Sequence, residues 1–480
     1  MNEPVPLIVG FKGTQLDEET KAHLLEINPM GVIFFKRNLA EPEQIRSLVA
    51  EVKRLLGPIL VAVDHEGGMV NRFSPELATP PAPFALNFTG PQEQKQATQM
   101  LAALPAHFGF NLNLAPVLDL FDADSEAINI RAFSRDPEEV GRWGSMIVEA
   151  HEEVGLGSCG KHFPGHGRVR TDTHNRAGVA DFTAEELQAK DLLPYRRMAL
   201  PAVMTSHLIY PAFDAQNPAS LSKAVITDLL KGQMGFKGLV LSDCVEMEAI
   251  SASFGPEEIV AKGKEAGLDL WISSYSIKAD LGFQKALADA MRAQGLAGKN
   301  PKVRDFLMDY PGRKPQLFRL DEAVALRRET IQRGGVKPAP PWELAVVSSK
   351  AFNGINRDEP EEGFRYWMKM GLGELVPNSL ELSLDDLDSA EEYFKEVRQS
   401  GRSLLLATQA ARRHPNWEKF MQLIENMKSV LHLDLGEGAD IIGSIEGKWN
   451  CFGSDRLTVQ AICRELKVGL ATGVPDSAKP

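Results

Sequence analysis

The sequence predicts an α/β protein in which a (β/α)8 barrel of the TIM type is followed by a smaller C-terminal α/β domain. Eight short apolar runs recur along the first two-thirds of the chain, and amphipathic stretches of helical length separate them. Apolar runs this short and continuous are typical of strands buried on both faces of a parallel sheet. An open doubly wound sheet is the alternative, but no G-x-G-x-x-G motif follows the first run.

Each predicted strand is bounded by glycine or polar residues and is followed by a stretch that can form a helix. The clearest helix start is at Asp136, a predicted N-cap, with Pro137 in the first helical position and Glu139 three residues after the cap. Other predicted helices span residues 17–27, 41–56 and 183–200. The predicted strands are PLIVGF (6–11), GVIFF (31–35), ILVAVD (59–64), LNLAPVLD (112–119), GSCGKHF (157–163), AVMTSHL (202–208), GLVLSD (238–243) and LDLWIS (268–273).

The predicted barrel ends with a closing helix at residues 317–333, so we expect a barrel domain over residues 1–335. Glycine and clustered proline then predict a linker at residues 336–342, because they neither pack nor continue a helix. A second alternation, with ELAVVSS, SLLLATQA and VLHLDLG as strands, predicts a small α/β domain over residues 343–480.

Composition excludes several classes of partner and compartment. The net charge of −12 disfavours nucleic acid and anionic membrane surfaces, which both need a basic face. We expect no signal peptide and no membrane helix, since the N-terminus lacks the required pattern and no run approaches the ~20 apolar residues of a membrane span. The four cysteines form no C-x-x-C pair, which fits reduced thiols and a cytoplasmic location. Cys159 and Cys244 are interpreted as small buried side chains.

Ionisable side chains stand at the ends of the predicted strands. In a barrel of this kind the carboxyl ends of the strands form the active site, so this pattern predicts an enzyme. The side chains are Asp64, Asp119, Lys161, His162, His207 and Asp243.

The stretch KHFPGHGRVRTDTH (161–174) carries three histidines and allows three interpretations. His166, Asp172 and His174 are donors that suit zinc, although the intervening Pro164–Gly165 rules out the helical spacing of two histidine ligands. Alternatively, Asp172 orients His174, which then gives and takes a proton near neutral pH. An Asp–His contact at the surface of a loop remains a third, purely structural possibility.

Asp243, in SDCVEM, is either the N-cap of the next helix or a nucleophile that forms a covalent intermediate. A nucleophilic carboxylate with a nearby proton donor is the equipment for splitting a glycosidic bond with retention. The usual donor is a second carboxylic acid, whereas here it is a histidine. Asp64 and Arg72, around a Gly67–Gly68 turn, and Arg131 add polar groups that suit the hydroxyls of a sugar.

Several motifs together resemble the β-N-acetylglucosaminidases of glycoside hydrolase family 3, of the type that recycles bacterial cell wall. The resemblance covers about residues 5–333. The motifs are GVIFFKRNL, VAVDHEGGMVNRF, NLNLAPVLDL, RAFSRDP, KHFPGHGRVRTDTH, VMTSHLIYPAFD and GLVLSDCVEMEAI.

This resemblance implies a retaining hydrolase that releases terminal, non-reducing β-linked N-acetylglucosamine without metal or cofactor. The implied substrates are muropeptides or disaccharides, and the oligomeric state is left open. Asp243 would be the nucleophile and His174 the acid/base, with Asp172 as its partner. The implied sugar-binding residues are Asp64, Arg72, Arg131, Lys161 and His162.

The sequence departs from the family pattern at Arg168 and Arg170, whose added charges could favour an anionic muropeptide or alter the loop. Cys244 stands where aspartate is common, and His65 and Asn71 stand where glutamine is common. Phosphorolysis, a sugar-binding protein without catalysis and a metal-dependent hydrolase remain alternatives. The C-terminal domain carries no catalytic motif, so a packing or dimerisation role is expected for it.

Overall fold

The computed structural model resolves two compact units, Met1–Thr79 with Thr98–Phe318 and Pro80–Ala97 with Arg319–Pro480. The second unit therefore includes residues 80–97 and 319–335, which the sequence prediction assigns to the barrel domain. The predicted linker lies outside the described residues except for Trp342, which begins a strand. The structure describes residues 2–73, 77–125, 127–169, 178–275, 280–333, 342–348, 378–384, 386–400, 403–409, 416–424, 430–434, 448–451, 458 and 460–466.

The predicted barrel is confirmed, because eight parallel strands close on themselves in the order β1-β10-β9-β6-β5-β4-β3-β2. A short antiparallel hairpin, β7 Ile209–Tyr210 and β8 Asp214–Pro218, follows the sixth barrel strand. The barrel strands are β1 Val5–Val9, β2 Pro29–Phe34, β3 Leu60–Val63, β4 Leu112–Asn113, β5 Gly157–Phe163, β6 Ala202–Thr205, β9 Leu239–Cys244 and β10 Leu270–Ser273.

Helices follow the strands as the alternation predicts. The α-helices are α1 Glu18–Ile27, α2 Pro42–Leu56, α3 Pro91–Phe108, α4 Pro137–Glu153, α5 Ala184–Ala189, α6 Glu248–Ser251, α7 Pro256–Ala266, α8 Leu281–Ala293 and α9 Pro301–Asp309. A π-helix spans Ala224–Gln233, and 3-10 turns span Lys36–Asn38, Pro83–Phe88, Asn129–Arg131, Pro194–Arg196 and Ala219–Leu221.

Local chemistry explains where these helices begin and end. The Asp136 side chain accepts the Glu138 backbone N–H and Pro137 occupies the first position of α4, so the predicted N-cap is confirmed. The predicted helix over residues 183–200 is wrong in its length. It ends at Ala189 and is followed by a 3-10 turn at Pro194, a residue that has no N–H to continue the helical ladder.

The barrel interior is filled by apolar side chains from all eight strands, including Ile8, Leu60 and Met204. Phe306 of α9 joins this core and lies against Gly157, the first residue of β5. A Cβ at Gly157 would come within 2.1 Å of the Phe306 ring, so glycine is needed for the ring to pack there. Phe306 therefore covers the amino ends of the strands, and the mouth of the barrel lies at their carboxyl ends.

The second unit is an α/β fold built on a six-stranded sheet of order β11-β16-β15-β14-β12-β13, in which only the β11–β16 pair is antiparallel. Its described helices span Leu320–Thr330 (α10), Leu387–Ser400, Trp417–Ile424 and residues 460–466. Its strands are β11 Gln332–Arg333, β12 Trp342–Ser348, β13 Asn378–Leu382, β14 Ser403–Gln409, β15 Val430–Asp434 and β16 Lys448–Asn450.

The core of the second unit lies between the sheet and its helices, where Phe394, Leu404 and Phe420 are fully buried. The barrel and the second unit together account for the predicted fold class. Among the described helices of both units, none has the length and apolar character that a bilayer span requires.

Candidate active site

Polar side chains from several strands meet at the mouth of the barrel. Asp64 directly follows β3, and Lys161 and His162 lie near the end of β5. His207 lies just beyond β6, and Asp243 is the next-to-last residue of β9. The carboxyl ends of parallel barrel strands share one rim, so these five residues lie at the same end of the barrel.

Two cations and two carboxylates form a buried network at this rim. Lys161 Nζ donates to Asp64 Oδ1 at 2.7 Å and lies 2.6 Å from Glu66 Oε1. Arg131 donates to both oxygens of Glu66, at 2.8 and 2.9 Å, and to the backbone oxygen of Ala127 at 2.6 Å. The side chains of Lys161 and Glu66 are 2% and 1% exposed. Charges buried this deeply require partners, which fixes the geometry of the network.

The network keeps its members charged. Burial alone would raise the pKa of Glu66, but the charges of Arg131 and Lys161 outweigh it and hold that pKa well below its ordinary range. Burial likewise disfavours the Lys161 ammonium, yet the charges of Asp64 and Glu66 raise its pKa above the ordinary value. The pKa of Arg131 also rises, because the charge of Glu66 outweighs burial. Lys161 and Arg131 are thus permanent cations.

Glu66 was not predicted from the sequence to belong to the site. Its direct signal is weak, since it is one acidic residue in the turn that follows Asp64. An indirect signal existed, because two predicted cations inside a barrel, Lys161 and Arg131, need a buried counter-charge.

Arg72 reaches the edge of the network from the same turn. Its guanidinium lies 3.8 Å from Asp64 Oδ2 and 5.5 Å from the centroid of the Phe35 ring. Gly67 and Gly68 have φ angles of 90° and 55°, a region that glycine enters without a steric penalty. The turn they form lets the chain reverse, so that Arg72 returns to Asp64.

Asp119 organises both histidines at the start of the loop. Beyond β4 the chain continues beside β5, where the Leu118 N–H donates to the backbone oxygen of Lys161 at 2.7 Å. This brings the buried Asp119 carboxylate next to His162, whose Nδ1 lies 2.6 Å from Oδ2. The backbone N–H groups of His162 and His166 donate to the same carboxylate at 3.2 and 2.6 Å. A carboxylate only accepts, so the Nδ1 of His162 carries a hydrogen and Nε2 is the ring nitrogen that remains for another partner.

The two histidines differ in their electrostatics. Burial lowers the pKa of His166 to about 4, with a further contribution from the charge of His162, so His166 is neutral at physiological pH. Burial works to raise the pKa of Asp119, but the charge and hydrogen bond of His162 outweigh it and the pKa falls. The charge of Asp243 also acts on the pKa of His166, which links the β5 loop with the end of β9.

Asp243 is held by the backbone and by the side chains that anchor the next residue. Its Oδ1 accepts the Cys244 backbone N–H at 2.7 Å. The backbone oxygen of Cys244 accepts from His207 Nε2 at 2.9 Å, while Nδ1 of His207 lies 2.7 Å from Ser220 Oγ. The Cys244 thiol is buried and lies 3.0 Å from Ser274 Oγ, in agreement with its interpretation as a small buried side chain.

The alternative interpretation of Asp243 as a helix N-cap is wrong. The next helix, α6, begins at Glu248 and its N-cap residue is Met247. Asp243 lies within β9 and is only partly buried. A carboxylate at this position is directed to the barrel mouth by the strand and not by a helix end.

The first part of the loop is tightly anchored. A Cβ at Gly167 would lie 1.9 Å from the backbone oxygen of Leu120, so only glycine fits there. At Gly165, with φ of 140°, a Cβ would lie 2.6 Å from the Asp191 side chain. The backbone oxygen of Gly165 accepts from the Tyr210 hydroxyl at 2.7 Å.

Arg168 is neutralised within the fold. Its guanidinium forms a bidentate pair with Asp191, with Nε 3.1 Å from both carboxylate oxygens and a terminal nitrogen bonded to Oδ2. It also lies 3.8 Å from the centroid of the Phe182 ring. Asp191 is almost fully buried, so this pair contributes no net charge to the mouth. Arg170 lies outside the described residues.

Two predicted catalytic residues, Asp172 and His174, also lie outside the described residues, and their pairing stays a prediction. Within the residues that the structure describes, no three His, Cys, Asp or Glu side chains group as metal ligands. Because Asp172 and His174 are two of the three ligands in the zinc alternative, that alternative is not tested.

Comparison with known proteins identifies the family. The model of the glycosyl hydrolase family 3 N-terminal domain matches residues 7–297. A β-hexosaminidase of Chromobacterium violaceum is 39% identical over 319 residues, which cover 64% of this chain and 87% of the relative. NagZ from Neisseria gonorrhoeae, solved in complex with N-trifluoroacetyl-D-glucosamine, has a TM-score of 0.57 at 29% identity and covers 68% of this chain and 97% of its own.

One solved structure shares the fold over nearly the whole chain. A family 3 β-N-acetylglucosaminidase from Paenibacillus sp. str. FPU-7 has a TM-score of 0.83 at 24% identity, covering 96% of this chain and 95% of its own. The family match spans more than half of the chain and coincides with the barrel and its polar mouth. This chain is a member of glycoside hydrolase family 3.

Proposed function

We propose that this glycoside hydrolase is a β-hexosaminidase that releases terminal, non-reducing β-linked N-acetylglucosamine with retention of configuration. The observation that carries the proposal is the buried network of Lys161, Asp64, Glu66 and Arg131 at the barrel mouth. A neutral sugar offers hydroxyls that both donate and accept, and fixed charges of both signs match them with charge-assisted hydrogen bonds. The similarity to β-hexosaminidases and to a NagZ bound to an N-acylated glucosamine supports the choice of sugar.

In the proposed mechanism Asp243 is the nucleophile. Its carboxylate attacks the anomeric carbon while the bond to the leaving oxygen breaks and His174 gives that oxygen a proton. The resulting ester is then hydrolysed by water, which His174 deprotonates as the bond to Asp243 breaks. Asp172 orients the imidazole through a hydrogen bond. Asp243 suits its role because it lies at the end of a barrel strand and has one oxygen committed to a backbone N–H.

The remaining predicted residues would bind the sugar. Lys161, Arg131 and Arg72 supply cationic donors, Asp64 supplies an acceptor, and the Nε2 of His162 faces the ligand because Nδ1 is bonded to Asp119. No metal or cofactor is required by this mechanism.

A cytoplasmic enzyme acting on muropeptides fits the resemblance, and the four free cysteines fit a cytoplasmic location. The charge of Arg168 does not support a preference for anionic substrates, because Asp191 compensates it.

The test is p-nitrophenol release from the β-N-acetylglucosaminide by the native chain, Asp243→Ala and His174→Ala, with and without phosphate and a chelator. We expect Asp243→Ala to abolish turnover and His174→Ala to slow decay of the glycosyl-enzyme. Turnover that requires phosphate would indicate a phosphorylase. Native rates in both variants, or loss of activity with the chelator, would refute the Asp–His mechanism.

A further inference from the structure

We infer that Glu66 is a positioning residue of the sugar site, which holds Lys161 and Arg131 in place and keeps Lys161 protonated for substrate. The inference rests on the proposed function for the sugar-binding roles of these two cations. The two oxygens of Glu66 already accept from Lys161 and Arg131, whereas the Lys161 ammonium has a third hydrogen left for substrate, so Glu66 acts through the two cations and does not itself bind the sugar.

The geometry makes Glu66 the link between the two cations. Its Oε1 is shared by Lys161 Nζ at 2.6 Å and a terminal nitrogen of Arg131 at 2.9 Å, and its Oε2 accepts Arg131 Nε at 2.8 Å. Asp64 cannot replace it, since Asp64 bonds Lys161 from the side that faces Arg72 and is itself 15% exposed. Without Glu66 the ammonium and the guanidinium would face each other in a buried space.

The ionisation of Lys161 depends on the charges around it. Burial disfavours its ammonium form, Asp64 and Glu66 favour it, and Arg131 disfavours it. Arg72 acts from the far side of Asp64, where it competes for that carboxylate. Without the charge of Glu66, only the Asp64 carboxylate still favours the Lys161 ammonium, while burial and the charge of Arg131 disfavour it. Lys161 should therefore lose its proton at a much lower pH.

The decisive variant is Glu66→Gln, which keeps the size of the side chain and removes its charge. In the native chain Lys161 stays charged from about pH 6 to 9, so it adds no pH dependence to the inhibition constant of N-acetylglucosamine, and each variant is compared with the native profile. In Glu66→Gln the inhibition constant should rise with pH over this range, by about 10- to 100-fold, as the charge-assisted bond from Lys161 is lost. A structural defect alone would weaken binding equally at every pH.

Three companion variants complete the test. Glu66→Gln combined with Lys161→Met should show no pH-dependent rise, because the titrating group is gone. Glu66→Asp, which keeps the charge, should retain the native pH profile even if Glu66→Gln folds poorly. Asp269→Asn is the matched control, since this carboxylate also binds two lysines, Lys302 at 2.9 Å and Lys231 at 3.6 Å, but precedes β10 at the opposite end of the barrel. It should lower stability without changing inhibition or its pH dependence.

Lysine 15N NMR reads the ionisation of Lys161 without substrate, with Lys161→Met assigning the signal. A Lys161 that titrates at the same pH in the native chain and in Glu66→Gln overturns the inference, as does an unchanged inhibition profile. If the native chain hydrolyses no β-N-acetylglucosaminide, the proposed function fails, while the NMR titration still decides whether Glu66 keeps Lys161 charged.

Discussion

Replacing Asp119 by asparagine tests whether this carboxylate sets the hydrogen position on His162. The carboxylate accepts three N–H donors, two of them from His162 and one from His166. Asparagine has one acceptor oxygen, so its amide nitrogen must face at least one of these donors. When it faces His162, the ring hydrogen can move from Nδ1 to Nε2. After that shift Nδ1 accepts from the amide, the amide oxygen accepts from His166, and the backbone N–H of His162 alone loses its partner.

The size of the effect follows from the number of bonds lost. A hydrogen bond to a charged group stabilises a protein by about 1.5–3 kcal/mol. With the tautomer shift one donor is left unpaired, so the free energy of unfolding should fall by about 1.5–3 kcal/mol. Without the shift the amide either faces both His162 donors, for a loss of about 3–6 kcal/mol, or turns over and faces only the His166 N–H, for a loss of about 1.5–3 kcal/mol, so the 15N shifts of the His162 ring identify the tautomer. The reversed tautomer would present N–H at Nε2, and we expect kcat/KM to fall about 10- to 100-fold.

The assay combines three measurements on Asp119→Asn: kcat/KM with the p-nitrophenyl β-N-acetylglucosaminide, urea unfolding, and the 15N shifts of the His162 ring. Asp269→Asn is again the control for loss of a partly buried carboxylate away from the mouth. Because the folded pKa of Asp119 is below its unfolded value, its charge stabilises the fold above about pH 4 and stops doing so as the pH falls further. The difference in the free energy of unfolding between the native chain and Asp119→Asn should therefore decrease as the pH falls below about 4. If Asp119→Asn keeps the native kcat/KM and His162 still carries its hydrogen on Nδ1, this reasoning is refuted.

Three further predictions follow from the geometry. Arg168→Ala leaves Asp191 buried without its cation, so the free energy of unfolding in urea should fall by about 3–5 kcal/mol. Adding Asp191→Asn should restore most of this loss. Neither variant should change the preference between anionic and neutral aglycones. Gly167→Ala forces a Cβ against backbone and should cost about 1–3 kcal/mol or more in the same assay. Gly255→Ala meets open space at φ of −78° and changes only the N-cap of α7, so its cost should stay within about 1 kcal/mol. Burial lowers the pKa of His151 to about 4, so the neutral imidazole stabilises the fold fully above about pH 6.5. The free energy of unfolding should therefore fall by up to about 3 kcal/mol as the pH falls to 4. His151→Gln should reduce this pH dependence, and a pH dependence unchanged by the substitution would contradict the lowered pKa of His151.

The barrel could be predicted because each strand is a continuous apolar run, and burial on both faces imposes that pattern directly on the sequence. Details that depend on one backbone group were harder to predict. The fourth strand pairs regularly only over Leu112–Asn113, since Pro116 follows and has no N–H for a ladder. The predicted helix over residues 183–200 fails at Pro194 for the same reason.

Site residues at strand ends could be predicted because topology alone brings them together. Ion-pair partners that only the tertiary structure brings together could not be predicted. Asp191 is 23 residues from Arg168 in the chain, and no periodicity relates the two. The two added arginines therefore looked like a positive patch, whereas the structure shows that Arg168 belongs to a neutral ion pair.

The charge balance of the mouth has a consequence for binding. Lys161 and Arg131 are matched by Asp64 and Glu66, so the network has no net charge although each member is ionised. Such a site exerts short-range, directional forces on a neutral sugar and little long-range attraction on ions. Affinity for N-acetylglucosamine should accordingly change little between low and physiological salt. Anionic muropeptides could still bind more tightly than neutral disaccharides, with an advantage that disappears at high salt. The positive charge that attracts them would then lie outside both the network and the Arg168–Asp191 pair, and Arg170→Ala would be the first variant to measure.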